Sequence, residues 1–217
     1  MMELHRFIDQ MWTTLLLVIA LLSANAFSQD DVGATVNNRV LFISIAERAH
    51  SNGLLAISQS LLENHPSIDV HYASFPAVAT SVAAISDSTT PSAENDKRIA
   101  FHPLSGLSYM DTLAQQGYES GNIRHGPGLI CISKTLGFLS TLLAPWTPPE
   151  YMEIYHDILR VIEEVNPGLV VVDSMFRPAH DAVEQLGRKY VIFAPNNIKD
   201  FAVSSQPNLG TVLAYPL

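Results

Sequence analysis

The chain has 217 residues, with 21 acidic against 12 basic side chains and a net charge of −9 at pH 7 when histidine is neutral. Its 47% hydrophobic and 15% charged content fits a globular domain with a buried core and argues against a disordered chain. There is no run of Lys and Arg to neutralise phosphates, which argues against a nucleic-acid partner, and the lone Cys131 excludes an intrachain disulfide and a thiolate metal cluster.

Residues 1–26 differ from the rest. Trp12 to Leu22 is apolar throughout, and Ser23-Ala-Asn-Ala26 supplies a small-residue cleavage pattern. The run is shorter than an ordinary membrane span of ~20 residues and has the size of a signal-peptide core. It points to the secretory pathway, the endoplasmic reticulum or a membrane association. Arg6 is offset by Glu3 and Asp9, which leaves open an uncleaved anchor, or a buried N-terminal helix in a cytoplasmic protein. Residues 27–38 read as a polar linker.

A Rossmann-like unit is predicted over 39–200. Strand one, Arg39 to Ile45, carries Val40, Phe42, Ile43 and Ile45, the near-continuous apolar run of a strand covered on both faces. Ala46 to Gly53 follows, then a helix from Leu54 with Leu54, Leu55, Ile57, Ser58, Leu61 and Leu62 on one side, ended by Asn64-His-Pro66. Strand two is Ile68 to Ser74, a helix and a loop fill Phe75 to Asp96, and strand three is Arg98 to Pro103. Leu104 to Glu150 is punctuated by glycine and holds an apolar helical stretch, Leu129 to Leu143, which reads as core or as the wall of a hydrophobic substrate pocket. Tyr151, Ile154, Tyr155, Ile158, Ile162 and Val165 then recur at helical spacing up to Asn166-Pro-Gly168. Strand four runs from Gly168 to Val172 and ends on Asp173. A helix from Pro178 to Leu186 is capped by Gly187, strand five is Tyr190 to Ala194, and 201–217 reads as the start of a linker. Repeated β–α units predict a doubly wound parallel sheet.

In such a sheet, ligands bind beyond the carboxyl ends of the strands, where strand order reverses. If strands one and four flank that point, His50 and Asp173 face one crevice. A neutral imidazole held by a carboxylate is a general base near neutral pH. The plainer readings remain beside this one: a histidine after a strand is also a loop or core residue, and an aspartate closing a strand is also a helix cap. Ser51, Asn52, Met175, Phe176 and Asn196 are the candidate cleft residues, while Arg177 reads as solvated. His102, His125, His156 and His180 show no metal-ligand spacing, and no H-E-x-x-H occurs, so no metal is expected. A P-loop, a G-x-S-x-G elbow and a G-x-G-x-x-G turn are likewise lacking.

Ala49-His-Ser-Asn-Gly-Leu-Leu55, after an apolar strand, resembles the Gly-His-x-x-Pro segment of UDP-sugar-dependent glycosyltransferases of the secondary-metabolite type. Val170-Val-Val-Asp173, with the helix ending in Glu184-Gln-Leu-Gly187, resembles the segment that carries that family's dyad aspartate. Phe193-Ala-Pro-Asn196 is similar to its next strand and loop. The resemblance covers roughly Arg39 to Asn197 and implies the N-terminal, acceptor-binding half of a GT-B enzyme, most like fungal members. It implies that His50 takes the proton of an acceptor hydroxyl and that Asp173 orients it. A hexosyl group would then pass with inversion from a UDP-sugar co-substrate to a small lipophilic acceptor, without a metal. The helix dipole is expected to hold His50 neutral at rest, from a helix starting near Asn52. Ala49 and Gly53 depart from the family's usual Gly and Pro, and its phosphate-touching polar residue is not found at Ile192 or Phe193. The family's nucleotide-sugar half is not among these residues, which implies a donor half missing or supplied separately, and little transfer by the chain alone. A non-catalytic Rossmann-like binding module, or a truncated gene product, is the alternative.

Overall fold

The computed structural model describes residues 37–88, 98–118 and 141–195. The leader 1–26, most of the linker 27–38, His125, Asn196 and 201–217 lie outside the described residues, as does Leu129 to Leu143 except for 141–143, which are helical. Five parallel strands form one sheet: β1 (Arg39–Ile43), β2 (Asp69–Ser74), β3 (Ala100–Pro103), β4 (Leu169–Asp173) and β5 (Tyr190–Phe193). Their order is β3-β2-β1-β4-β5. The connections carry α1 (Arg48–Asn64), a 3-10 turn (Pro76–Val78) running into α2 (Ala79–Ser88), α3 (Tyr109–Gln115), α4 (Pro148–Val165) and α5 (Arg177–Gln185). This is the doubly wound α/β sheet that the sequence pattern predicts. Strand order reverses between β1 and β4, where Ile43 is in register with Ala73 on one side and Val172 on the other.

The two-residue period of a strand sorts the core into two layers. Leu41, Ile43, Val170 and Val172 pack on one face with Ile154, Ile158 and Ile162 of α4 and Ala182 and Val183 of α5. Phe42, Val70 and Tyr72 pack on the other with Leu54, Leu55 and Leu62 of α1 and Val82 of α2. Burying each such Leu, Ile or Phe contributes about 1.5–3 kcal/mol. Val171 packs with the α1 layer. Asp173 has the same parity as Val171, so its side chain leaves the strand on the side where α1 lies.

The largest difference from expectation is the start of α1. The helix begins at Arg48, not near Leu54 or Asn52, so His50 sits in its first turn. Its buried stripe is Ser51, Leu54, Leu55, Ser58 and Leu62. Two of the five are serines, each donating to the carbonyl four residues back: Ser51 Oγ to Glu47 O at 3.1 Å and Ser58 Oγ to Leu54 O at 2.8 Å. A purely apolar reading stops where the serines begin. Ile57, expected on the inner face, is 41% exposed, because it lies about 110° around the helix from the centre of that stripe. Strand β1 ends at Ile43 rather than Ile45 and β5 at Phe193 rather than Ala194, while α3 was not anticipated between Leu104 and Glu150. α4 stops at Asn166-Pro-Gly168 as expected, with Asn166 in the left-handed region at φ 45°.

Candidate active site

His50 and Asp173, 123 residues apart, meet at the reversal point with Nδ1 and Oδ1 2.8 Å apart. The aspartate side chain is fully buried and that of the histidine is 17% exposed. A carboxylate only accepts, so Nδ1–H donates and Nε2 carries the lone pair of the neutral ring. Asp173 is itself held firmly. Its Oδ1 also accepts the Met175 backbone N–H at 3.0 Å, and its carbonyl accepts from Nε2 of the buried His180 at 3.0 Å. The next residue, Ser174, donates its N–H to Phe193 O of β5 at 2.9 Å.

The hydrogen bond to Asp173 is the largest influence on His50 and raises its pKa above the ordinary histidine value. Burial works against it, and the charges of Asp173 and Glu47 add to it. The net shift therefore runs opposite to the one expected from the helix N-terminus. The dipole is worth about 0.3–1 kcal/mol, less than a charge-assisted hydrogen bond of about 1.5–3 kcal/mol.

The remaining candidates separate. Ser51 faces inward with its hydroxyl spent on the Glu47 carbonyl, and its own carbonyl lies 3.4 Å from the Tyr72 hydroxyl. Asn52 is exposed. Met175 is half-buried against the α4–α5 layer. Phe176 is a core residue rather than a cleft residue: it is fully buried, with ring centroids 5.8 Å from both Phe75 and Trp146. It lies three residues past the end of β4 and packs in the α4–α5 layer with Val170 and Val172. Arg177 is exposed, as expected.

Two features escaped the sequence reading. Glu47, three residues before His50, accepts the Met110 backbone N–H through Oε1 at 2.8 Å, and burial raises its carboxyl pKa. Its signal was an acidic residue between an apolar strand and a helix, at N-cap spacing from His50. The second is the fit of Gly53, whose added Cβ would stand 2.5 Å from Cζ of Phe193. The Phe193 ring at the tip of β5 lies against α1 at Gly53, and any side chain larger than hydrogen there would have to displace it.

A cavity of about 450 Å³ lies at the opposite, amino end of the sheet, lined by Arg39, His71, Arg98, His102 and Glu164 among others. There His71 Nδ1 and His102 Nε2 are 3.0 Å apart, and burial lowers the pKa of both. It is remote from His50 and lies on the side of the sheet away from the strand ends that bind ligands in this architecture. Among the described residues, no group of three or more His, Cys, Asp or Glu is placed to hold a metal ion, and no helix is long and apolar enough to cross a membrane.

No family model matches the chain. It is similar to glycosyltransferase sdnJ of Sordaria araneosa, with 28% identity over 193 residues that make up 82% of this chain and 38% of that protein. The chain thus spans well under half the length of the curated relative it matches. The fold is similar to that of the crystal structure of SsfS6, a glycosyltransferase of Streptomyces sp. SF2575. The TM-score is 0.50 at 14% identity, covering 72% of this chain and 39% of that one. SsfS6 has also been solved complexed with thymidine diphosphate.

Proposed function

We propose that the chain is the acceptor-binding half of an inverting GT-B glycosyltransferase in which His50 is the general base and Asp173 its orienting partner; its 28% identity to a glycosyltransferase and its Rossmann-like sheet support this reading. The observation that carries this reading is the 2.8 Å contact between Nδ1 and Oδ1 at the switch in strand order. An acceptor alcohol is a poor nucleophile at neutral pH until its proton is removed. Nε2 of His50 takes that proton as the acceptor oxygen bonds to the anomeric carbon. The bond from that carbon to the diphosphate oxygen breaks on the opposite face, so the configuration inverts and the nucleoside diphosphate leaves with the electron pair. Asp173 keeps Nδ1 protonated throughout and stabilises the imidazolium, the logic of the serine-protease triad. General base catalysis of this kind contributes about 10²–10⁴-fold.

The co-substrate is a nucleoside-diphosphate sugar, with a hexosyl group transferred, and the scheme needs no metal. The family resemblance favours UDP. The acceptor is a small lipophilic alcohol or phenol; the apolar stretch Leu129 to Leu143 supports that class. Coverage of 38% of the relative supports the expectation that these 217 residues alone transfer little sugar. The apolar run in the first 26 residues supports placement in the secretory pathway or at a membrane.

The test supplies the chain with the donor-binding portion of a relative and measures nucleoside-diphosphate release from UDP-glucose and TDP-glucose with a panel of lipophilic phenols and sterols. The expected result is acceptor-dependent release that His50→Ala lowers by about 10²–10⁴-fold. Release equal in wild type and His50→Ala would overturn the assignment of the base.

A further inference from the structure

A second carboxylate stands beside the histidine that the dyad does not use. Glu47 occupies the N-cap position of α1, with extended backbone, yet its side chain makes no cap bond to its own helix. It reaches instead to the Met110 N–H, 63 residues further along, in the first turn of α3. The neighbouring N–H in that turn, of Asp111, is met by Ser108 Oγ at 3.3 Å. Glu47 therefore caps a helix that is not its own, and ties α3, whose Tyr109 ring meets that of Trp146 edge-on at 5.9 Å, to the first turn of α1 that presents His50. Its other oxygen, Oε2, is buried without a hydrogen-bond partner. A half-satisfied carboxylate out of water is costly unless a positive charge lies near. The cation that the site can generate is the imidazolium of His50, and the charges of Glu47, His50 and Asp173 act on one another.

We propose that Glu47 is a positioning residue of this site: its carboxylate docks the α3 segment beside His50 through Met110, and supplies a second negative charge that stabilises the imidazolium formed when His50 takes a proton. The inference rests on His50 being the base. It assigns Glu47 two jobs that can be separated, one done by an oxygen and one done by a charge.

Among the described residues, the other ionisable groups around these three are Tyr72 of β2, Tyr109 of α3 and His180 of α5. Burial pushes the Tyr109 hydroxyl up to about 12 and that of Tyr72 higher still, so both stay neutral across the useful range. His180 is committed through Nε2 to the Asp173 carbonyl.

The experiment is an NMR titration of the His50 ring in the 217-residue chain, with the signal assigned by its loss in His50→Ala. Glu47→Gln keeps an oxygen for the Met110 N–H and removes the charge; Glu47→Ala removes both. The expected result is that Glu47→Gln lowers the His50 midpoint by roughly half a pH unit or more and leaves amide exchange at Met110 as in wild type. Glu47→Ala should also speed that exchange by on the order of tenfold. An unchanged midpoint in Glu47→Gln overturns the electrostatic role, and unchanged exchange in Glu47→Ala overturns the docking role. If Glu47→Ala does not fold, the docking role is read from Met110 exchange in Glu47→Asp, which withdraws the oxygen by one methylene. Asp173→Asn serves as the reference. If it lowers the midpoint while Glu47→Gln does not, Glu47 fails and the dyad stands; if neither moves it, the dyad pairing itself fails.

Discussion

Replacing Asp173 by asparagine separates a charge that holds His50 from a shape that merely fills its place. The position is fully buried and the two side chains are nearly isosteric, so the packing survives. What is lost is the charge-assisted bond at 2.8 Å. An asparagine oxygen at the Oδ1 position can still accept both the His50 Nδ1–H and the Met175 N–H, but it carries no charge, and the NH₂ group then falls at the Oδ2 position, which is buried without a partner. Hydrogen bonds to charged groups contribute about 1.5–3 kcal/mol. Asp173 raises the His50 pKa above the ordinary value, so the folded protein binds that proton more tightly than the unfolded chain. The resulting stability is fully present below about pH 6.5 and is lost as pH rises through the raised folded-state value. Asp173→Asn should therefore cost about 1.5–3 kcal/mol at pH 6, or about 3–12 °C in Tm for a domain of this size, and progressively less toward pH 9. Thermal melts of both proteins at pH 6, 7, 8 and 9 measure the gap. A gap that stays constant with pH, or widens as pH rises, would refute the reasoning.

In the enzyme completed with a donor-binding portion, His50→Ala should lower kcat by about 10²–10⁴-fold with little change in acceptor KM; steady-state kinetics check it. The same kinetics across pH should show kcat/KM falling on the acid side of a midpoint above the ordinary histidine value, since the raised His50 pKa must be passed before Nε2 can accept. Gly53→Ala should gain about 1 kcal/mol of helix propensity but lose more to overpacking, about 1–3 kcal/mol, because the new methyl meets Phe193 Cζ at 2.5 Å. Adding Phe193→Leu should recover stability in thermal melts, and a higher Tm for the single variant would contradict the proposed fit. Ile158→Ala, at a position with no exposure, should cost about 2–5 kcal/mol in urea unfolding, whereas Met152→Ala, 43% exposed on the same helix, should stay within about 0.5 kcal/mol.

The amino-acid sequence by itself determined the elements whose signal is local. The apolar run of β1, the helical spacing from Ile154 to Val165, the Asn166-Pro-Gly168 stop and the β–α alternation all follow from nearest-neighbour sterics and periodicity, and they imply a parallel sheet. His50 and Asp173 were legible because each stands at the end of such an element. Tertiary structure alone decided what those ends meet. Parallel neighbours are far apart in the chain, so no local pattern encodes that β1 lies between β2 and β4, or that the parity of β4 turns Asp173 toward α1. The early start of α1 was hidden because Ser51 and Ser58 complete its buried stripe through bonds to their own helix. Phe176 was misplaced because an apolar side chain looks the same whether it faces a ligand or a core. The direction of the His50 pKa reversed for the same reason: a dipole can be inferred from a helix start, but the stronger influence is a carboxylate 123 residues away that only folding brings within 2.8 Å.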